Sequence, residues 1–147
     1  MIMQAKFNNK VHYLNLLTQL LLARLDISTR PDLLIPVPMH RQRLLQRQFN
    51  QAAIISRCLS HHTGIPSNYY LLEKNTDTEH QIQLDAAQRQ RNLRNSFSCR
   101  QAPPKHVAVI DDVVTTGTTA NEIARTLKRA GCDRVDIWAL ARTPKEY

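Results

Sequence analysis

Val107-Ala108-Val109-Ile110 is an unbroken apolar run that ends in two adjacent acids, Asp111 and Asp112. Val113 and Val114 follow, then Thr115, Thr116, Gly117, Thr118 and Thr119, and then a stretch with helical spacing. Two carboxylates at a strand end can accept hydrogen bonds from vicinal sugar hydroxyls. A tight loop of threonines offers hydroxyls and backbone N–H groups together. The N-terminus of the helix behind it adds unpaired donors and the positive end of a dipole, a ready place for phosphate. Gly117 lets the backbone approach a ligand closely. The plainer reading is a capped loop–helix junction, with Thr119 and Glu122 as a capping box. Strand, paired acids and TTGTT together favour a sugar-phosphate site.

Other residues could add charge. Arg43 and Arg47 are four apart, so they share one face at the start of a helix; a phosphate contact and a solvated face are both open. Many arginines fall in residues 41–57 and 89–100. With 20 Lys and Arg against 12 Asp and Glu, the net charge of +8 suits polyanionic ligands: nucleotides, pyrophosphate or nucleic acid. A solvated basic surface is the bland alternative. The six histidines show no metal spacing, and His61-His62 point different ways on a helix. Cys58, Cys99 and Cys132 form no CxxC pair, which argues against a zinc ribbon or a disulfide framework and for reduced thiols in the cytoplasm.

The elements that must position these groups follow from periodicity. Val11, Leu14, Leu17, Leu21 and Leu25 predict a helix over about 10–26 with one face inward. Leu33-Leu34-Ile35 predicts a short buried strand stopped by Pro36 and Pro38. Leu45, Phe49, Ala52, Ile55 and Leu59 predict a helix over 43–61, closed by Gly64 and Pro66. Phe49, Asn50 and Gln51 read as packing and capping residues. Tyr69 to Leu72 predicts a strand. Glu73 to Leu84 is polar and without period, and residues 74–88 read as a mobile lid over the site. Asp85 and Gln88 resemble a capping box opening a helix to about Leu93. His106 to Ile110 is a strand, Asp111 to Thr119 a loop, and Ala120, Ile123, Ala124 and Leu127 the inward face of a helix ended by Gly131. Val135 to Leu140 is a last strand.

That alternation implies an α/β fold: an open, mainly parallel, twisted sheet with helices on both faces. Such sheets bind ligands beyond the carboxyl ends of their strands, where the acids and threonines lie. The 147 residues make one domain, 1–147, with a core of about 33–143. No apolar run approaches the ~20 residues of a membrane span, and the N-terminus has no signal-peptide pattern.

VIDDVVTTGTT resembles the phosphoribosyl pyrophosphate (PRPP) motif of type I phosphoribosyltransferases. Pro36-Val37-Pro38, Arg43, Arg47 and Phe49-Asn50-Gln51 resemble the PVP…R…RGFNQ segment of the ComF/GntX family. Thr78, Gln81, Leu84, Arg89, Asn92-Leu93 and Phe97 resemble that family's T..Q..L….R..NL…F stretch, and Ala141-Arg142-Thr143 its closing ART. The likeness covers roughly residues 33–143. It departs from the family at Gln48, where RGFNQ has glycine, and in lacking the family's N-terminal cysteine-rich zinc ribbon.

The resemblance implies a Mg2+-dependent transfer of ribose 5-phosphate from PRPP to an acceptor that the sequence does not name. Asp111 and Asp112 would hold the ribose hydroxyls and Mg2+, directly or through water. Thr115, Thr116, Gly117, Thr118 and Thr119 would hold the 5-phosphate. Arg43 and Arg47 would face pyrophosphate, and Arg89 would be a loop-closing catalytic residue. The ligand would be PRPP or a ribose 5-phosphate nucleotide. Two alternatives stand beside the transferase: a non-catalytic competence or DNA-utilisation protein that handles single-stranded DNA, and a PRPP-binding regulatory module. With 5% aromatics, stacking on single strands has little support. The leucine-rich first helix suggests a homodimer.

Overall fold

The computed structural model describes residues 2–76 and 86–144. Helix α1 spans Ile2–Leu22, strand β1 Leu33–Pro36, helices α2 and α3 Arg41–Arg47 and Gln51–Thr63, strand β2 Leu72–Lys74, helix α4 Ala86–Leu93, strand β3 Phe97–Cys99, strand β4 His106–Val114, helix α5 Thr118–Arg129 and strand β5 Arg134–Arg142. Most of the expected lid, residues 77–85, lies outside the described residues.

β4 is the central strand, with β1 and β5 parallel on its two sides. Its side chains alternate between faces, and both faces are covered. Val107 and Val109 pack with Ile123 and Leu127 of α5, and with Leu72 and Phe97. Ala108 and Ile110 pack with Leu14 of α1, Ile55 and Leu59 of α3, and Trp138. All four β4 residues are fully buried, which is why the run is apolar without alternation. This is the expected α/β architecture. Among the described residues no helix is long and apolar enough to cross a membrane.

Several boundaries differ from the expectation. β4 continues through Asp111 and Asp112 to Val114, because β5 is long enough to keep pairing: Asp111 lies opposite Ala139 and Val114 opposite Arg142. The expected loop is thus cut to residues 115–117. The helix expected over 43–61 is two helices. α2 ends at Gln48, which takes a left-handed φ of 65° and sends its N–H to the Leu44 carbonyl. Asn50 then caps α3, its Oδ1 accepting the Ala52 N–H at 3.0 Å while its Nδ2 donates to the Val37 carbonyl at 3.0 Å.

α1 begins earlier than its apolar period, since nothing in residues 2–9 stops a helix. Its inward face is rotated from the expected one. Leu17 is 45% exposed, whereas Thr18 is fully buried and donates its hydroxyl to the Leu14 carbonyl at 2.6 Å. β2 is shifted from 69–72 to 72–74, and it pairs antiparallel with β3, a three-residue strand that periodicity does not reveal.

Candidate functional site

β4 delivers Asp111 and Asp112 to the carboxyl end of the sheet. Each Oδ1 accepts the N–H of the following residue, Asp112 and Val113, at 2.8 Å. Burial pushes the Asp111 carboxyl up to about 7, and the Asp112 side chain beside it adds to the rise, while the Asp112 N–H works against it.

Beyond Val114 the chain turns once and enters α5. Gly117 is the N-cap, with φ 81° and no side-chain capping bond. A Cβ there would meet nothing within 4 Å. The positive φ is therefore what favours glycine, not the lack of room. The Thr116 and Thr118 hydroxyls are 2.8 Å apart. The plain capping box does not form. Glu122 is 5% exposed and does not reach back to Thr119; it accepts the Asn95 N–H at 3.0 Å, tying the end of α4 to α5. The Thr118 N–H at the start of α5 donates to Thr116 Oγ1 at 3.4 Å, while Gly117, the N-cap, has no side chain to offer.

Asp111, Asp112, Thr119, Arg43 and Arg47 line one cleft of about 290 Å3. In the sequence the arginines stand more than 60 positions before the acids; the parallel pairing of β1 with β4 brings the loop after Pro36 beside the acids. Thr115, Thr116 and Gly117 form the turn from β4 into α5 and Thr118 opens the helix; none of the four lines this cleft, and Thr118 lines a smaller one with Leu93, Arg94 and Glu122. Arg89 lies on α4, but its side chain is outside the described ones. Lys74 also lines the cleft. The sequence assigned it to the lid, and only the antiparallel pairing of Lys74 with Phe97 puts it here. Asn50 and Met39 are further lining residues.

No protein-family model matches the chain. It is 38% identical to "Competence protein F" of Haemophilus influenzae over 116 residues, 76% of this chain and 51% of that protein. It is 35% identical to "DNA utilization protein YhgH" of Escherichia coli K12 over 152 aligned positions, 97% of this chain and 66% of that protein. "Competence protein ComFC" of Bacillus subtilis is 32% identical over 101 residues, 67% of this chain and 39% of that protein.

The chain belongs to the ComF-like family.

It spans about half to two thirds of the first two of these relatives. Among solved structures, the ComF-like chain is similar to the glutamine PRPP amidotransferase of B. subtilis, with TM-score 0.59 and 23% identity over 86% of this chain and 26% of that one. That likeness establishes a phosphoribosyltransferase fold. Where the ComF-like RGFNQ has glycine, Gln48 holds the left-handed conformation that glycine adopts readily.

Proposed function

We propose that this cleft binds PRPP with Mg2+ and that the protein is a phosphoribosyltransferase-like module acting on ribose 5-phosphate. The observation that carries the reading is the meeting of Asp111, Asp112, Thr119, Arg43 and Arg47 in one cleft at the carboxyl end of a parallel sheet. The carboxylates hold the ribose hydroxyls. The loop 115–119 and the first turn of α5 receive the 5-phosphate through N–H and hydroxyl donors. Arg43 and Arg47, which line the same cleft, would meet the pyrophosphate end of the ligand.

Mg2+ fits the donor set. Asp111 and Asp112 offer hard carboxylate oxygens, and among the described residues no group of three His, Cys, Asp or Glu could cage a metal alone. That is how Mg2+ is ordinarily held: by one or two carboxylates, with substrate phosphates and water completing the shell. When bound, it would neutralise charge on pyrophosphate. The chain's own part in transfer is to orient the anomeric carbon by fixing the ribose at one end and the pyrophosphate at the other. Its arginines stabilise the negative charge that the leaving group gains as the anomeric bond breaks. Arg89, at the foot of the expected lid, is the residue proposed to close on that charge.

Calorimetric titration with PRPP and Mg2+ tests this. The Asp111→Ala, Asp112→Ala double variant should fold and lose at least about 2 kcal/mol of PRPP binding, the scale of charge-assisted hydrogen bonds. Unchanged affinity would overturn the assignment. The names of the curated relatives favour a second reading, handling of DNA. Titration with single-stranded DNA across salt separates the two, since phosphate-driven DNA affinity falls steeply as salt rises.

A further inference from the structure

A second and larger cleft, about 700 Å3, opens on the other side of α2. It shares Pro38, Met39, Asn50 and Lys74 with the first cleft, but none of Asp111, Asp112, Thr119, Arg43 or Arg47 lines it. α2 is the partition. Arg43 and Arg47 face the first cleft, and Arg41 and Leu44 face the second. No residue of α2 is buried.

Three features of this second cleft ask for a ligand. Tyr69 and Tyr70 stand together in its wall, and Tyr70 is 75% exposed. An exposed aromatic ring, with the exposed Leu44 lining the same cleft, is a surface for stacking a flat ring. Its charged lining residues are Arg41, Lys74 and Arg100 against one carboxylate, Glu73, which Arg100 engages at 3.2 Å. The balance favours an anion. Finally, the buried Nδ1 of His40 has no hydrogen-bond partner among the described residues. A buried polar atom is ordinarily satisfied, and His40 lines this cleft. The volume suits one small organic ligand and not a polymer.

We propose that this cleft is a separate nucleotide site, which takes a nucleoside monophosphate with its base against Tyr69 and Tyr70 and its phosphate toward Arg41. The inference does not depend on PRPP binding in the neighbouring cleft, although a nucleotide could also enter that cleft by its ribose 5-phosphate end. The experiment therefore has to tell the two clefts apart.

Adenosine and uridine 5′-monophosphates are titrated into the full chain, alone and in the presence of saturating PRPP and Mg2+. The expected result is one nucleotide bound in both conditions. Tyr70→Ala should weaken it roughly ten-fold or more, the usual effect of removing a stacking ring, and leave PRPP affinity unchanged. Arg41→Ala should remove the preference for adenosine monophosphate over adenosine. The Asp111→Asn, Asp112→Asn variant should lose PRPP and keep the nucleotide. If PRPP displaces the nucleotide and Tyr70→Ala has no effect, the ligand sits in the ribose phosphate cleft and the proposal is wrong. Binding of single-stranded oligonucleotides with none of mononucleotides would overturn it equally. If PRPP fails to bind while the nucleotide binds and responds to Tyr70→Ala, the function proposed above falls and this one stands.

Discussion

Asp111 shows how much one residue can carry. Its type and place at a strand end were legible in the sequence, because a run of four apolar residues followed by two acids is a local pattern. Its proton affinity was not, because that depends on burial beneath elements far along the chain. With its carboxyl raised to about 7 in the folded protein and near 3.9 in an unfolded one, the folded chain holds a proton that the unfolded chain has lost. Its contribution to stability is present in acid and disappears as pH rises past about 4 and through about 7. Urea unfolding of the metal-free protein at about pH 5 and about pH 8 should show this loss, and Asp111→Asn should flatten it. A pH slope identical in the variant would exclude Asp111 as its source.

At the scale of elements, the long ones were readable and the short ones were not. α5 and the interior of β4 have strong periods. β3 has three residues, and it exists only because β2 is beside it. The break between α2 and α3 was hidden for a different reason. Gln48 is an ordinary helix former, and its left-handed backbone runs against what its side chain prefers. The capping bonds of Asn50 and the fixed course of the chain past Val37 override that preference. Gln48→Gly should consequently stabilise the protein by roughly 0.5–1 kcal/mol, as glycine does at a left-handed helix end. For a domain of this size the melting temperature should rise by roughly 2–4 °C. A lower melting temperature would mean that the Gln48 side chain contributes more than its backbone costs.

For the whole molecule, residue spacing alone could not join the two halves of the cleft; the family resemblance joined Arg43 and Arg47 to the acids and left out Lys74 and Asn50. Lys74, Asn50 and Arg43 come together only through the pairing of β1 with β4 and of β2 with β3. The outer face of α1 is a related case. Its leucines suggested burial, yet Tyr13, Leu16, Leu17 and Leu20 are 69%, 55%, 45% and 58% exposed, spaced as one stripe. An apolar stripe of this kind marks an association surface. We expect the chain to form dimers in sedimentation at roughly tens of micromolar, a range where weak interfaces register, and Leu16→Glu with Leu20→Glu to return it to monomer. A wild-type monomer at that concentration would end the idea.

α2, the seven-residue partition with nothing buried, has a consequence for how the two clefts communicate. A helix this short is marginal without packing, so its opening should need little free energy and its amides should exchange early with solvent. Whatever enters either cleft must first hold that segment in shape. The first ligand to arrive bears the ordering entropy, and the second finds the segment already set. Two sites with no direct contact between their ligands would then bind cooperatively, through the entropy of one helix.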